Sequence, residues 1–173
     1  MNSKLGTIFF PLLIFFIVSF VGCGYKLREI SQGLGGQTIS VFFQNNAFNL
    51  SFVNQLNLQG GVKKIYFNQI SEDADISINI LEHKTTRYSV ALGTGARTKE
   101  ARIEYFLKIS LSKQDNEKEL ILEIRDESNY PFDESKILAI EEIEKRLNEN
   151  FFSNAISRIN FSLLSLRYED TPN

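Results

Sequence analysis

One cysteine, Cys23, and one histidine, His83, are all that this 173-residue chain has of two residue types that often ligate metals or carry catalysis. With no second cysteine, no intrachain disulfide can form, so the fold must hold by packing alone. No group of histidine, cysteine and carboxylate has metal-ligand spacing. A lone strand histidine reads first as structural or solvated, and no serine or threonine has a base implied beside it. Acid pairs such as Asp73/Asp75 and Glu141/Glu142 fall in turns or on a wet helix face, where carboxylates are usually just solvated. Gly93-Thr94-Gly95 lacks the Gly-Lys-Ser/Thr ending of a phosphate loop. The sequence gives an enzyme nothing to stand on, and the expectation is a protein that binds rather than turns over.

An excess of positive charge is also missing. The net charge is −2, which is not the footprint of a nucleic-acid protein. No internal repeat or low-complexity tract appears beyond residue 22. No apolar run reaches the roughly 20 residues that a membrane-spanning helix needs. The run from Ile8 to Val21, broken only by Pro11 and Ser19, falls short. Preceded by Lys4 and followed by Gly22-Cys23, it has the proportions of a secretory leader.

The position of Cys23 then acquires a meaning. A cysteine at the end of such a leader, after Ser19-Phe20-Val21-Gly22, matches a bacterial lipoprotein signal, although Phe20 is bulkier than the leucine usual there. A buried thiol or half of a disulfide is the alternative, but neither places the cysteine at the leader's end. On the lipoprotein reading residues 1–22 are a signal peptide and Cys23 carries diacylglycerol and usually an N-acyl chain, palmitate among the acyl groups. Several chains on one residue make a stable anchor where a single chain does not. The chain should therefore be lipid-anchored outside the cytoplasm. Gly24, where aspartate often marks inner-membrane retention, points to the periplasmic side of the outer membrane.

Removing residues 1–22, with Lys4 as their one charge, leaves 151 residues with 18 basic and 21 acidic side chains, a net of −3. That length suits one domain with a real core. Residues 23–37, with Gly24, Gly33, Gly35 and Gly36, read as a lipidated tether. A domain over 38–165 and a flexible tail over 166–173 follow.

Within the domain, Ile39, Val41 and Phe43 alternate along a first strand from Thr38 to Phe43, and Asn45-Asn46 stops it. Phe48, Phe52, Val53 and Leu56 recur at helical spacing up to Gly60-Gly61. Val62–Phe67 reads as a second strand or a strand lead-in. Ile76, Ile78 and Ile80 alternate along another, which can run on, bent or bulged, through His83 and Arg87 to Val90. Residues 92–96 break it. The cleanest period runs over Ala101, Ile103, Tyr105, Leu107, Ile109 and Leu111, opposite Arg102, Glu104, Lys108, Ser110 and Ser112, with Phe106 the exception. Such alternation marks a half-buried antiparallel strand. Leu120, Leu122 and Ile124 complete a hairpin. Asp133 caps a last helix with Phe132 and Ile137 as staple. Its apolar stripe is Ile140, Ile143, Leu147, Phe151, Ala155 and Ile159. Ending near Leu164, it would be about 46 Å long. The expected fold class is α+β, a two-layer sandwich with a mostly antiparallel sheet of about four strands and two helices on one face.

One charge bias stands out. Lys84, Arg87, Arg97, Lys99 and Arg102 face only Glu100 over a short stretch of an otherwise acidic chain. Arginine and lysine clamp phosphates, so this connection could meet a phosphorylated lipid head group. Equally, it could be a solvated hairpin end pairing with local acids.

These residues together resemble the LptE family of lipopolysaccharide-assembly lipoproteins. Cys23-Gly24-Tyr25-Lys26-Leu27-Arg28 is similar to the family's mature start, and Thr38-Ile39-Ser40-Val41 to its first strand. Asp73-Ala74-Asp75, Ala101-Arg102-Ile103-Glu104-Tyr105, Asp126-Glu127-Ser128-Asn129-Tyr130 and the Asp133-capped helix follow in the family's order. The resemblance covers nearly all of residues 23–165 by pattern rather than by an invariant motif. Asn46 to Gly61 departs from it, where the family usually has a longer, more charged helix. The resemblance implies a non-enzymatic plug and assembly partner of the LptD β-barrel that binds lipopolysaccharide, with no cofactor and no metal. It would place lipid contact at Arg87, Arg97, Lys99 and Arg102. The reading weighed against it is a periplasmic structural or regulatory lipoprotein of another envelope machine.

Overall fold

A computed structural model describes residues 33–93, 98–113 and 119–169, with side chains to residue 164. The leader, Cys23 and residues 24–32 lie outside the described residues, as do Arg97 and residues 170–173. The elements run β1 (Thr38–Phe42), α1 (Ala47–Gln59), β2 (Lys64–Phe67), β3 (Ile76–Leu92), β4 (Thr98–Lys113), β5 (Glu119–Pro131) and α2 (Ile137–Glu169). Both helices lie on one face of a single sheet of order β2-β1-β3-β4-β5.

The α+β class holds, but the sheet differs from the expectation of about four mostly antiparallel strands. It has five strands and is mixed: β1 pairs in parallel with both β2 and β3, while β3, β4 and β5 are antiparallel. The cause is that both connections, α1 before β2 and residues 68–75 before β3, return the chain to the end where β1 starts. A helix between two strands returns the chain to the end where it began, so the second strand enters beside the first and parallel to it.

Local chemistry sets the helix ends. The Asn46 side chain accepts the Asn49 N–H at 2.8 Å and starts α1. The Gly60 N–H returns to the Leu56 carbonyl at 2.8 Å, and Gly61 at φ +63° turns the chain away, a conformation that suits glycine. Asp133 caps a short 3₁₀ turn, Glu134–Lys136, which runs directly into α2. The stripe along α2 lands as its spacing requires: Ile140, Phe151, Ala155 and Ile159 are buried, and Ile143 and Leu147 are half-buried. Helical structure continues through Glu169, so residues 166–169 are not a loose tail.

Likewise the domain begins before Thr38. Leu34 is fully buried, its N–H donating to Asn160 Oδ1 at 2.8 Å, and the Gly36 N–H binds the Gly61 carbonyl at 2.9 Å. Residues 34–37 therefore pack with the domain and shorten the tether. A side chain on Gly33 would lie 1.8 Å from Asn160 Oδ1, which is why that position is glycine.

Strand β3 is bulged, and the bulge decides which side chains face the helices. Ile76, Ile78 and Ile80 face the core, but the register slips between Ile80 and Glu82. Beyond it His83, Thr85 and Arg87 lie opposite Leu107, Tyr105 and Ile103 of the core-facing set. Leu81 is the extra residue, and the inward set changes from even to odd numbers.

Candidate functional site: the charged ribbon of β3, β4 and β5

Strand β1 ends opposite Asn79, so beyond that point the sheet narrows to a long ribbon of β3, β4 and β5. All of the basic residues singled out above belong to this ribbon or to the connection at its tip. Because side chains alternate across a sheet, the ribbon parts the cluster.

Arg87 lies on the helix face. Its Nη1 donates to Glu144 Oε1 of α2 at 3.1 Å, and its guanidinium sits 5.2 Å from the centre of the Phe132 ring. The hydrogen bond to Glu144 raises the Arg87 pKa further, so it stays charged. Glu144 also accepts the Tyr130 hydroxyl. Burial, and after it the Glu144 carboxylate, push the Tyr130 phenol up to about 12. Arg87, Glu144 and Tyr130 thus tie β3, α2 and β5 together. Arg102 faces the opposite way. It lies 3.4 Å from Glu127 and 3.8 Å from Glu104, two carboxylates placed directly across the β4–β5 ladder. Like charges in that position repel, and Arg102 offsets the repulsion. Lys99 is exposed at the tip, its stem lying against Gly93, where an added Cβ would meet Cε at 2.4 Å. Of the four basic residues, then, Arg87 and Arg102 sit on opposite faces with carboxylate partners. Lys99 has no ion pair among the described residues, and Arg97 lies outside them.

The uncovered face of the ribbon holds a feature that sequence reasoning passed over. A shallow concavity of about 700 Å³ is lined by residues that include Lys84, Tyr88, Glu104, Phe106, Arg125 and Glu127. At its centre the Phe106 ring lies between Arg125, 4.6 Å from its centroid, and Lys84, 5.7 Å from it. Register explains the arrangement, since Lys84, Phe106 and Arg125 stand side by side on three neighbouring strands. The signal was there: Phe106 is the one aromatic on the wet side of an otherwise regular strand. Around it Lys108 and Glu123 pair at 2.9 Å, which pulls the Glu123 carboxyl below its usual range. This is a surface of matched opposite charges around one aromatic plate.

His83 lies on the other face of the ribbon. Phe48, Phe52, Tyr105 and Phe152 surround its ring at centroid distances of 4.3–5.6 Å. Asn49 Nδ2 donates to the Gln44 carbonyl, so its Oδ1 is left to accept from His83 Nδ1 at 2.7 Å. Nε2 then accepts the Tyr105 hydroxyl at 3.1 Å. Burial pushes the imidazole down to about 4, and burial also raises the Tyr105 phenol. Both groups are neutral members of the core. Among the described residues no set of three histidine, cysteine or acidic side chains is placed to hold a metal ion.

A mixed five-stranded sheet with two helices on one face and a long antiparallel ribbon is an architecture already seen in bacterial lipoproteins. The chain resembles an uncharacterized lipoprotein B from Nitrosomonas europaea with a TM-score of 0.60 and 19% identity, over 87% of this chain and 99% of that one. Rare lipoprotein B from Shewanella oneidensis aligns with a TM-score of 0.57 at 15% identity, over 76% of this chain and 97% of its own. A minor lipoprotein from Acinetobacter baumannii gives 0.54 at 14%, over 78% and 95%. At these identities the shared property is the fold. No protein-family model matches the sequence, and no curated protein does.

Proposed function

We propose that this chain is an outer-membrane lipoprotein of the LptE type, acylated at Cys23, that plugs and helps assemble an LptD-type β-barrel and contacts lipopolysaccharide. The observation that carries the reading is the fold match to lipoprotein B from Nitrosomonas europaea, which takes in 99% of that chain. It supports the resemblance that the sequence shows independently, at Cys23-Gly24-Tyr25 and along β4. The uncovered ribbon face supports the barrel partnership. A barrel lumen is polar, and a face of mutually neutralised charges suits it without burying an unpaired ion.

The role is binding and assembly, without turnover. Lipid phosphates would meet Lys99 first, at the ribbon tip, and Arg97 of the adjoining connection is the other candidate contact. Arg87 and Arg102 would reach them only by exchanging Glu144 and Glu127 as partners. An affinity pull-down of the tagged chain from detergent-solubilised envelopes, with Cys23→Ala alongside, tests the proposal. A large β-barrel at near-equal stoichiometry is the expected result. A folded, anchored chain that brings down no barrel would replace this reading with that of a structural or regulatory lipoprotein of another envelope machine.

A further inference from the structure

The chain enters the domain at the end where α1 finishes and β1 begins. Leu34 is held there between the last turn of α1 and Asn160 of α2. Near that entry point are two strongly exposed apolar side chains, Leu58 at 83% and Phe161 at 72%; Ile70 and, at the start of α2, Leu138 are comparably exposed. Leu58 is two residues before Gly60, which packs on Leu34, and Phe161 follows Asn160 directly. The helix surface around them carries little charge up to residue 164, before Arg167 and Glu169 in the last turns of α2. Helix α1 has no charged residue, and residues 150–164 of α2 have only Arg158, which reaches back to the Arg125 carbonyl of β5. The first thirteen residues of α2, by contrast, carry Glu141, Glu142, Glu144, Lys145, Arg146 and Glu149. Lys63 and Lys64 lead into β2 at the same end; Lys64 Nζ donates to the Tyr66 hydroxyl at 2.6 Å, and both lysines share a shallow concavity with Asp73 and Asp75.

We propose that, in the anchored chain on its own, this entry end rests on the phospholipid bilayer. Leu58 and Phe161 enter the interfacial zone, and Lys63 is the cation nearest to lipid phosphates. The inference rests on acylation of Cys23. Residues 23–33 can span at most about 35 Å fully extended, so the entry end stays close to the bilayer. The tip of β3 lies most of a 17-residue strand further away, about 55 Å by strand rise. Two apolar side chains would bind a free-floating bilayer weakly. A short tether makes the contact intramolecular and raises its effective concentration. The sparsely charged helix surface lowers the desolvation cost of bringing that end against lipid.

The test uses the full-length acylated chain in vesicles of phosphatidylethanolamine and phosphatidylglycerol. Cys23 is blocked by its thioether, so Leu58→Cys, Phe161→Cys and Leu92→Cys each carry one free thiol for an environment-sensitive dye. All three positions are exposed, so the variants fold. The expected result is a blue shift and loss of most iodide quenching at positions 58 and 161, with position 92 reading as water. Flotation with the vesicles while positions 58 and 161 read as water overturns the bilayer contact and leaves the anchor standing. A chain that is not acylated and does not float overturns the anchor, and the contact with it.

Discussion

His83 is kept neutral by its surroundings: four aromatic rings exclude water, and both ring nitrogens already have partners. Its folded pKa of about 4 lies below the ordinary 6.5, so between those values the unfolded chain binds more protons than the folded one. Stability from this group is complete above pH 6.5 and is lost as pH falls toward 4, by about 3 kcal/mol over the window. Urea midpoints measured across that window should fall more steeply for the native chain than for His83→Gln. A parallel fall in both would show that the histidine does not titrate on unfolding. Gly33 is the second sensitive residue. Gly33→Ala drives a methyl group into Asn160 Oδ1 and should displace the Leu34–Asn160 hydrogen bond, at a cost of about 1–3 kcal/mol. Thermal unfolding checks it against Gly36→Ala, where a side chain meets no atom within 4 Å but is strained by φ +73°. At Arg102, replacement by alanine leaves Glu104 facing Glu127 and should cost roughly 0.2–1 kcal/mol. Adding Glu127→Gln should restore most of that, and raised salt should shrink the difference.

Among the elements, β4 and α2 were legible because each repeats one period against one partner layer. Tyr105, Leu107 and Ile109 face in at every second residue, and Ile140, Phe151 and Ile159 at helical spacing. Strand β3 was legible only in halves, because Leu81 breaks its alternation and no local residue announces the bulge. The parallel pairing of β1 with β2 and β3 was not read, although strand, helix and strand were each recognised in order. Parallel neighbours are made by the crossover rather than by any residue in the strands. The same reasoning explains the divided basic cluster. Arg87 and Arg102 are close in sequence space and in the ladder, yet their parities place them on opposite faces. The bulge gives a direct prediction. Deleting Leu81 leaves His83, Thr85 and Arg87 on the helix face, whereas deleting Thr85 reverses the faces on one side of the cut. The first variant should stay folded by circular dichroism, and the second should lose most of its cooperative unfolding transition.

For the molecule as a whole, the two ends and two faces have different chemistry. The helix face is sealed by apolar packing, the chain enters beside Leu58 and Phe161, and the ribbon carries matched charges around Phe106. The sequence made the layer count and the last helix legible, since these rest on periods. The Lys84–Phe106–Arg125 plate was not legible, since it depends on register among three strands. The proposed barrel partnership draws support from the face that holds that plate, and one measurement addresses both. A photo-reactive phenylalanine analogue in place of Phe106, irradiated in living cells with the chain anchored and folded, should crosslink to a large outer-membrane β-barrel. Efficient crosslinking to periplasmic proteins with no barrel among the products would contradict the account.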